Sequence, residues 1–149
     1  EQPNIPVFEL LAETLESAGN TENLELLSRY FELCLLKTMG FQPQLRVCIS
    51  CGTELKAVTN YFSNTLGGTL CPNCAATAAG QPVSVNGLKV LRFFTENNSC
   101  DASRLKLSVT LNKEIKLLLS NYLRCLLERE IKCASWLHQI EISLPKNRL

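Results

Sequence analysis

Cys48-Ile49-Ser50-Cys51-Gly52 and, after nineteen intervening residues, Cys71-Pro72-Asn73-Cys74 form the stretch that decides the fold of this 149-residue chain. Two residues between cysteines let both sulfurs reach one metal ion from a tight turn, in which backbone N–H groups also donate to the thiolates. Gly52, directly after the second sulfur, tolerates the positive φ that such a turn requires. Between the pairs, Val58 to Ser63 has β-branched and aromatic character. Gly67-Gly68 then permits a reversal before Thr69-Leu70 returns to the second pair. The pattern predicts a zinc ribbon over residues 45–80, with two knuckles, a short β-hairpin and tetrahedral coordination by Cys48, Cys51, Cys71 and Cys74. Four soft ligands leave no open coordination position, so one structural Zn²⁺ per chain is expected. Zinc is preferred to iron only by the ordinary preference of such sites. A thioredoxin-like dithiol needs its cysteines at a helix start in a βαβ setting, which neither pair has.

Outward from the cysteines the chain reads as helical. Upstream, a helix from Pro6 to Gly19 carries Val7, Phe8, Leu11, Leu15 and Ala18 on one side. A second follows Thr21 as N-cap, with Glu22 and Glu25 in its first turn, and runs to Met39 before Gly40. Leu24, Leu27, Phe31, Cys34 and Leu35 form one of its faces and Leu26, Tyr30 and Leu33 another, so it is expected at the centre of the domain. Downstream, Ser84 caps a third helix with Val85, Leu88, Leu91 and Phe94 inward, broken by Asn97-Asn98-Ser99. Leu111, Ile115, Leu118, Tyr122 and Leu126 mark a helix from Leu111 to Glu128. A last helix is expected over Ile131 to Ile140, followed by a frayed basic tail, Pro145 to Arg148. The expected fold is mainly α: a single helical bundle domain over residues 1–149 with the four-cysteine ribbon inserted.

Composition narrows the function. Hydrophobic residues make up 46% and charged residues 19%, which is globular. No run approaches 18 uninterrupted apolar residues, so no membrane association is expected, and Glu1-Gln2-Pro3-Asn4 lacks the character of a secretory signal. The remaining cysteines, Cys34, Cys100, Cys125 and Cys133, are scattered, which favours a reducing compartment over a disulfide framework. The net charge of +1 divides into −5 over residues 1–40 and +6 over residues 41–149. Four thiolates on one Zn²⁺ would bring the total to −1. A binder acting chiefly by counterion release needs more positive charge, so any DNA contact is local or weak.

His138, the lone histidine, has no catalytic companions, Trp136 reads as a core or interface anchor, and no phosphate loop or open metal position is evident. The chain is expected not to be an enzyme. The basic residues Lys113, Lys116, Arg124, Arg129 and Lys132 form a solvated face, and Arg124, Arg129 and Lys132 are the residues to consider for DNA.

A further layer comes from resemblance. The run from Arg29 through Phe31-Glu32-Leu33-Cys34-Leu35-Leu36, Gly40 and Phe41-Gln42-Pro43-Gln44-Leu45 into Cys48 and Cys51-Gly52 is similar to the bacterial recombination mediator family RecO. Phe62-Ser63, Gly67-Gly68, Leu70 and Cys71-Pro72-Asn73-Cys74 continue the likeness, as do Pro3-Asn4, Phe8, Leu10, Leu11 and the late Ile131-Lys132. Where family members usually carry Lys-Ser-Arg, this chain has Lys132-Cys133-Ala134. The family's N-terminal OB-fold has no counterpart here, so the resemblance implies the C-terminal part of a longer protein. It also implies a bacterial cytoplasmic, non-enzymatic DNA-repair factor. Such factors bind and anneal single-stranded DNA, mainly through the OB-fold. They recognise the acidic tail of single-stranded DNA-binding protein, join RecR and help load RecA. Arg29, Leu33 and Lys37, four apart on the second helix, are either the tail contacts or a core helix stripe whose cations solvate its outer edge, and both readings stand equally. The alternative is a generic zinc-ribbon interaction module of a transcription or chaperone assembly.

Overall fold

The computed structural model describes residues 4–143, with side chains described through residue 129. Six helices and three short strands occur among the described residues: α1 (Ile5–Gly19), α2 (Leu24–Thr38), β1 (Asn60–Ser63), β2 (Gly68–Leu70), α3 (Pro72–Ala75), β3 (Gln81–Val83), α4 (Val85–Glu96), α5 (Ser99–Ser103) and α6 (Val109–Ser143). The fold is therefore mainly helical with a small antiparallel sheet, as the residue pattern predicts.

Helix α2 is the hub. It touches α1, α4, α5 and α6, and Leu26, Leu27, Tyr30, Leu33, Cys34 and Leu36 are buried along it. Apolar residues on two faces require neighbours on both sides. Its N-cap is Asn23, whose side chain accepts from Leu26 N–H, and not Thr21. Thr21 Oγ1 instead accepts from Asn23 N–H, so Glu22 lies outside the helix. Gly40, at φ 83°, ends the element in the left-handed conformation expected after a helix.

Helix α1 sits differently from the expectation. Leu10 and Ala18 pack on the core, whereas Phe8 is 71% exposed and Ile5, Leu11 and Leu15 also face outward. Ser17 bonds to the buried Ser99 at 2.7 Å, and Ser99 in turn donates to Glu13. This polar seam against α5 sets the rotation of α1, which the apolar spacing alone does not reveal.

The ribbon sheet has the order β2-β1-β3, all antiparallel. The hairpin is where the sequence places it, with Ser63 opposite Gly68. Strand β3 extends the insert to Val83 and pairs Pro82 with Tyr61. A proline is tolerated there because β3 is an edge strand. Gln44 joins the other edge by bridging to Gly68. The ribbon and bundle share one core: Phe62 and Leu70 are fully buried with Phe94, Leu91, Ile115 and Leu119. The Phe62 ring meets Tyr122 edge-on at 5.4 Å.

Helix α6 is continuous where two helices are expected. Its 35 residues contain neither glycine nor proline, and Leu127-Glu128-Arg129-Glu130-Ile131 are all compatible with a helix interior. The charged run is thus no break in the helix. The side chains of Lys132, Cys133, Trp136 and His138, and the whole Pro145 to Arg148 tail, lie outside the description.

Candidate metal centre

The first knuckle is a small hairpin in its own right. Val47 bridges Glu54, Cys48 N–H donates to Thr53 O, and Gly52 N–H donates back to Cys48 O, both at 2.8 Å. Gly52 takes φ 74° to close this turn. The second knuckle opens α3: Cys71 is its N-cap with extended backbone, Pro72 supplies the fixed first-turn φ, and Ala75 N–H reaches Cys71 O. The two knuckles are locked together when Ile49 N–H donates to Thr69 O at 2.9 Å.

The result brings Cys48, Cys51, Cys71 and Cys74 together with all four sulfurs within 4.8 Å of one another. The Cys51 and Cys71 sulfurs are 3.9 Å apart. Tetrahedral zinc with Zn–S near 2.3 Å sets sulfur–sulfur edges at about 3.8 Å, whereas a disulfide closes to about 2.05 Å. All four are free thiols, at the spacing of a shared ion.

Their electrostatics points the same way. Burial raises the Cys48 thiol, but N–H donors from Cys71, Cys51 and Ser50 outweigh it and bring the pKa down to about 6. Cys51 is lowered chiefly by the Thr53 hydroxyl, 3.0 Å from its sulfur. Cys74 is pushed up to about 12, mainly by the adjoining Cys71 and Cys51. A cluster whose members shift in opposite directions cannot ionise fully by itself; a divalent cation at its centre removes the conflict. The donor set suits a soft or borderline ion and closes its coordination sphere.

Other expected site residues are not gathered into one place. Leu33 is fully buried in the core. Arg29 pairs with Glu32 at 2.8 Å and is largely covered. Lys37 donates to Thr95 O at the end of α4. Among the described residues this stripe therefore exposes no apolar surface, since Leu33 is buried between a covered Arg29 and an exposed Lys37. Arg124 and Arg129 are both exposed, but at 3.6 residues per turn they lie about 140° apart around α6. Arg129 turns toward the ribbon and donates to Thr65 O at 3.2 Å.

A pocket beside the ribbon carries no local signal in the sequence. Of about 410 Å³, it is lined by Phe41 after α2, Ile49 and Leu66 from the ribbon, and Tyr122, Leu126 and Arg129 from α6. Tyr122 fixes two walls by donating its hydroxyl to Phe41 O. A larger cleft of about 690 Å³ lies away from the cysteines, between Glu13, Glu16 and Glu22 on one side and Arg104 and Lys106 on the other. Carboxylates and cations line it together, which gives it no single ligand chemistry.

A mainly helical domain that gathers four cysteines able to hold a metal ion is the class of protein that fold and site define. Comparison makes the assignment specific: residues 1–133 match the family described as "Recombination protein O C terminal", and the chain belongs to that family. Curated relatives named DNA repair protein RecO agree. That of Dehalococcoides mccartyi strain 195 is 42% identical over 140 residues, 94% of this chain and 55% of the relative. That of Roseiflexus sp. is 34% identical over 141 residues, 94% of this chain and 50% of the relative. The Syntrophus aciditrophicus protein is 32% identical over 145 residues, 95% of this chain and 56% of the relative. The chain thus spans about half the length of these relatives. No solved structure gives a significant match. Among the described residues, no helix is long and apolar enough to cross a membrane.

Proposed function

We propose that this chain is the scaffold and partner-binding part of a non-enzymatic DNA-repair and recombination mediator that holds one structural zinc ion. The observation that carries the reading is the match across residues 1–133 to the recombination protein O C-terminal family, whose curated relatives bear the name DNA repair protein. Single-strand annealing, association with RecR and assistance to RecA loading are the activities this reading assigns to the complete mediator. The main DNA surface belongs to the part of the family's length that the chain does not match. The near-neutral charge supports this division, since counterion release has few cations to draw on. Lys113 and Arg124, on one side of α6, are the local contacts proposed for a passing strand; Lys132 and Arg129 are secondary.

The acidic tail of single-stranded DNA-binding protein ends in an aromatic residue with a free carboxylate. Its receptor needs an apolar floor beside a cation. The pocket over Phe41, Ile49, Leu66 and Leu126, rimmed by Arg129, has that chemistry, whereas the Arg29–Lys37 stripe does not expose its leucine. Fluorescence anisotropy with two ligands tests the proposal. A labelled acidic peptide ending in phenylalanine should bind with micromolar affinity and weaken about tenfold in Arg129→Ala, the loss of one charge-assisted contact. Single-stranded DNA should bind no tighter than about 10⁻⁴–10⁻⁶ M and weaken with salt. Nanomolar DNA binding would place the main DNA surface in this chain. Loss of peptide binding in Arg29→Ala,Lys37→Ala, with Arg129→Ala unaffected, would return the receptor to α2.

A further inference from the structure

We propose that the four-cysteine cluster and the Phe41–Arg129 pocket are thermodynamically coupled, so that metal binding builds the pocket and a docked peptide retains the metal. The inference rests on the pocket being the peptide receptor, as argued above, and extends it to regulation. Two of the pocket's walls belong to residues whose positions the cysteines set. Ile49 is adjacent to Cys48 in the first knuckle, and its N–H bonds to Thr69 O, two residues before Cys71. Its side chain closes on Gly68 so tightly that a Cβ there would stand 2.8 Å from Ile49 Cδ1 and 2.9 Å from Gln44 Cβ. Leu66 sits at the tip of the hairpin that leads into Cys71. On the helical side, the only hydrogen bond recorded for the Arg129 guanidinium among the described residues goes to Thr65 O, in the same hairpin. Releasing the ion frees the first knuckle and with it the Ile49 wall, and it loosens the Cys71 end of the hairpin that carries Leu66 and the Thr65 anchor of Arg129, although Phe62 and Leu70 keep the root of that hairpin in the core. Tyr122 and Leu126 on α6 then face an incomplete wall. A ligand that touches Ile49 and Leu66 must then favour the metal-loaded form, and by reciprocity it must raise the apparent affinity for the metal.

The test uses the zinc-loaded chain, an acidic peptide ending in phenylalanine with a free carboxylate, and a chromogenic chelator. Peptide at 100 times its Kd can shift the chelator concentration for half-removal by up to about 100-fold if the metal-free chain does not bind it; a shift of at least about tenfold is expected. Leu126→Asp, which alters the pocket from α6 without touching the ribbon, should keep its zinc yet show the same half-removal point with and without peptide. If wild-type chain binds peptide, Arg129→Ala weakens that binding and the half-removal point still stays fixed, the coupling is wrong and the receptor assignment stands. If the zinc-loaded chain does not bind the peptide at all, both are wrong. A peptide-dependent shift that persists undiminished in Leu126→Asp shows protection arising outside the pocket and also overturns the proposal.

Discussion

Leu33 shows how burial decides between two roles that sequence leaves equal. Its spacing with Arg29 and Lys37 is that of a recognition stripe, and also that of a core helix edged by cations. The structure buries it completely, while Lys37 closes the end of α4 through Thr95 O. Leu33→Ala should therefore cost about 2–5 kcal/mol in urea unfolding, and Lys37→Ala less than about 1 kcal/mol. Equal, small effects would mean that Leu33 is not a core residue. The gathering of the four cysteines was legible at this scale because their chemistry is local: two Cys-x-x-Cys units need only a turn each, and Gly52 marks one of them. The pocket was not legible. Ile49, Leu66, Tyr122 and Arg129 acquire a common purpose only when the hairpin lies against α6.

At the scale of elements, the cap of α4 and the terminator of α2 were readable, whereas the cap of α2 falls on Asn23 and not Thr21, and the edges were not readable. Ser84 before Val85 and Gly40 after Met39 announce their boundaries by side-chain chemistry. Strand β3 escapes notice because Gln81-Pro82 resembles a loop, and α5 because Asn97-Asn98 ends one helix while Asn98 caps the next. The cap of α4 also has a partner that the sequence does not reveal. Glu114 of α6 accepts from both Ser84 N–H, at 2.6 Å, and Ser84 Oγ, at 2.9 Å. This places a carboxylate at the positive end of α4 and ties the ribbon's exit to the long helix. Glu114→Ala should destabilise the domain by about 1.5–3 kcal/mol, and its effect should not add to that of Ser84→Ala. Simple additivity in chemical denaturation would show that the two side chains act independently. The single α6 corrects the expected break after Glu128: a cluster of charges without glycine or proline does not interrupt the helix.

Across the whole molecule, one core joins two parts that read as separate. Phe62 and Leu70 of the ribbon are as buried as Phe94 and Leu119 of the bundle. Additional ties run from Arg92 to Leu45 O, Arg46 to Glu96 and Asn121 to Gln81. The cysteine spacing foretold the insert, and the apolar spacing foretold a central second helix. How closely the insert is welded to α6 depends on long-range packing that no local pattern records. The four gathered thiols are expected to hold zinc, and that ion to complete the ribbon. Elemental analysis of freshly purified, folded chain, alongside Cys51→Ser, Cys74→Ser and Cys125→Ser, decides this. The prediction is close to one equivalent of zinc in wild type and Cys125→Ser, with loss of the metal and of ribbon structure in the other two. Well under half an equivalent of zinc in folded wild-type protein would contradict it.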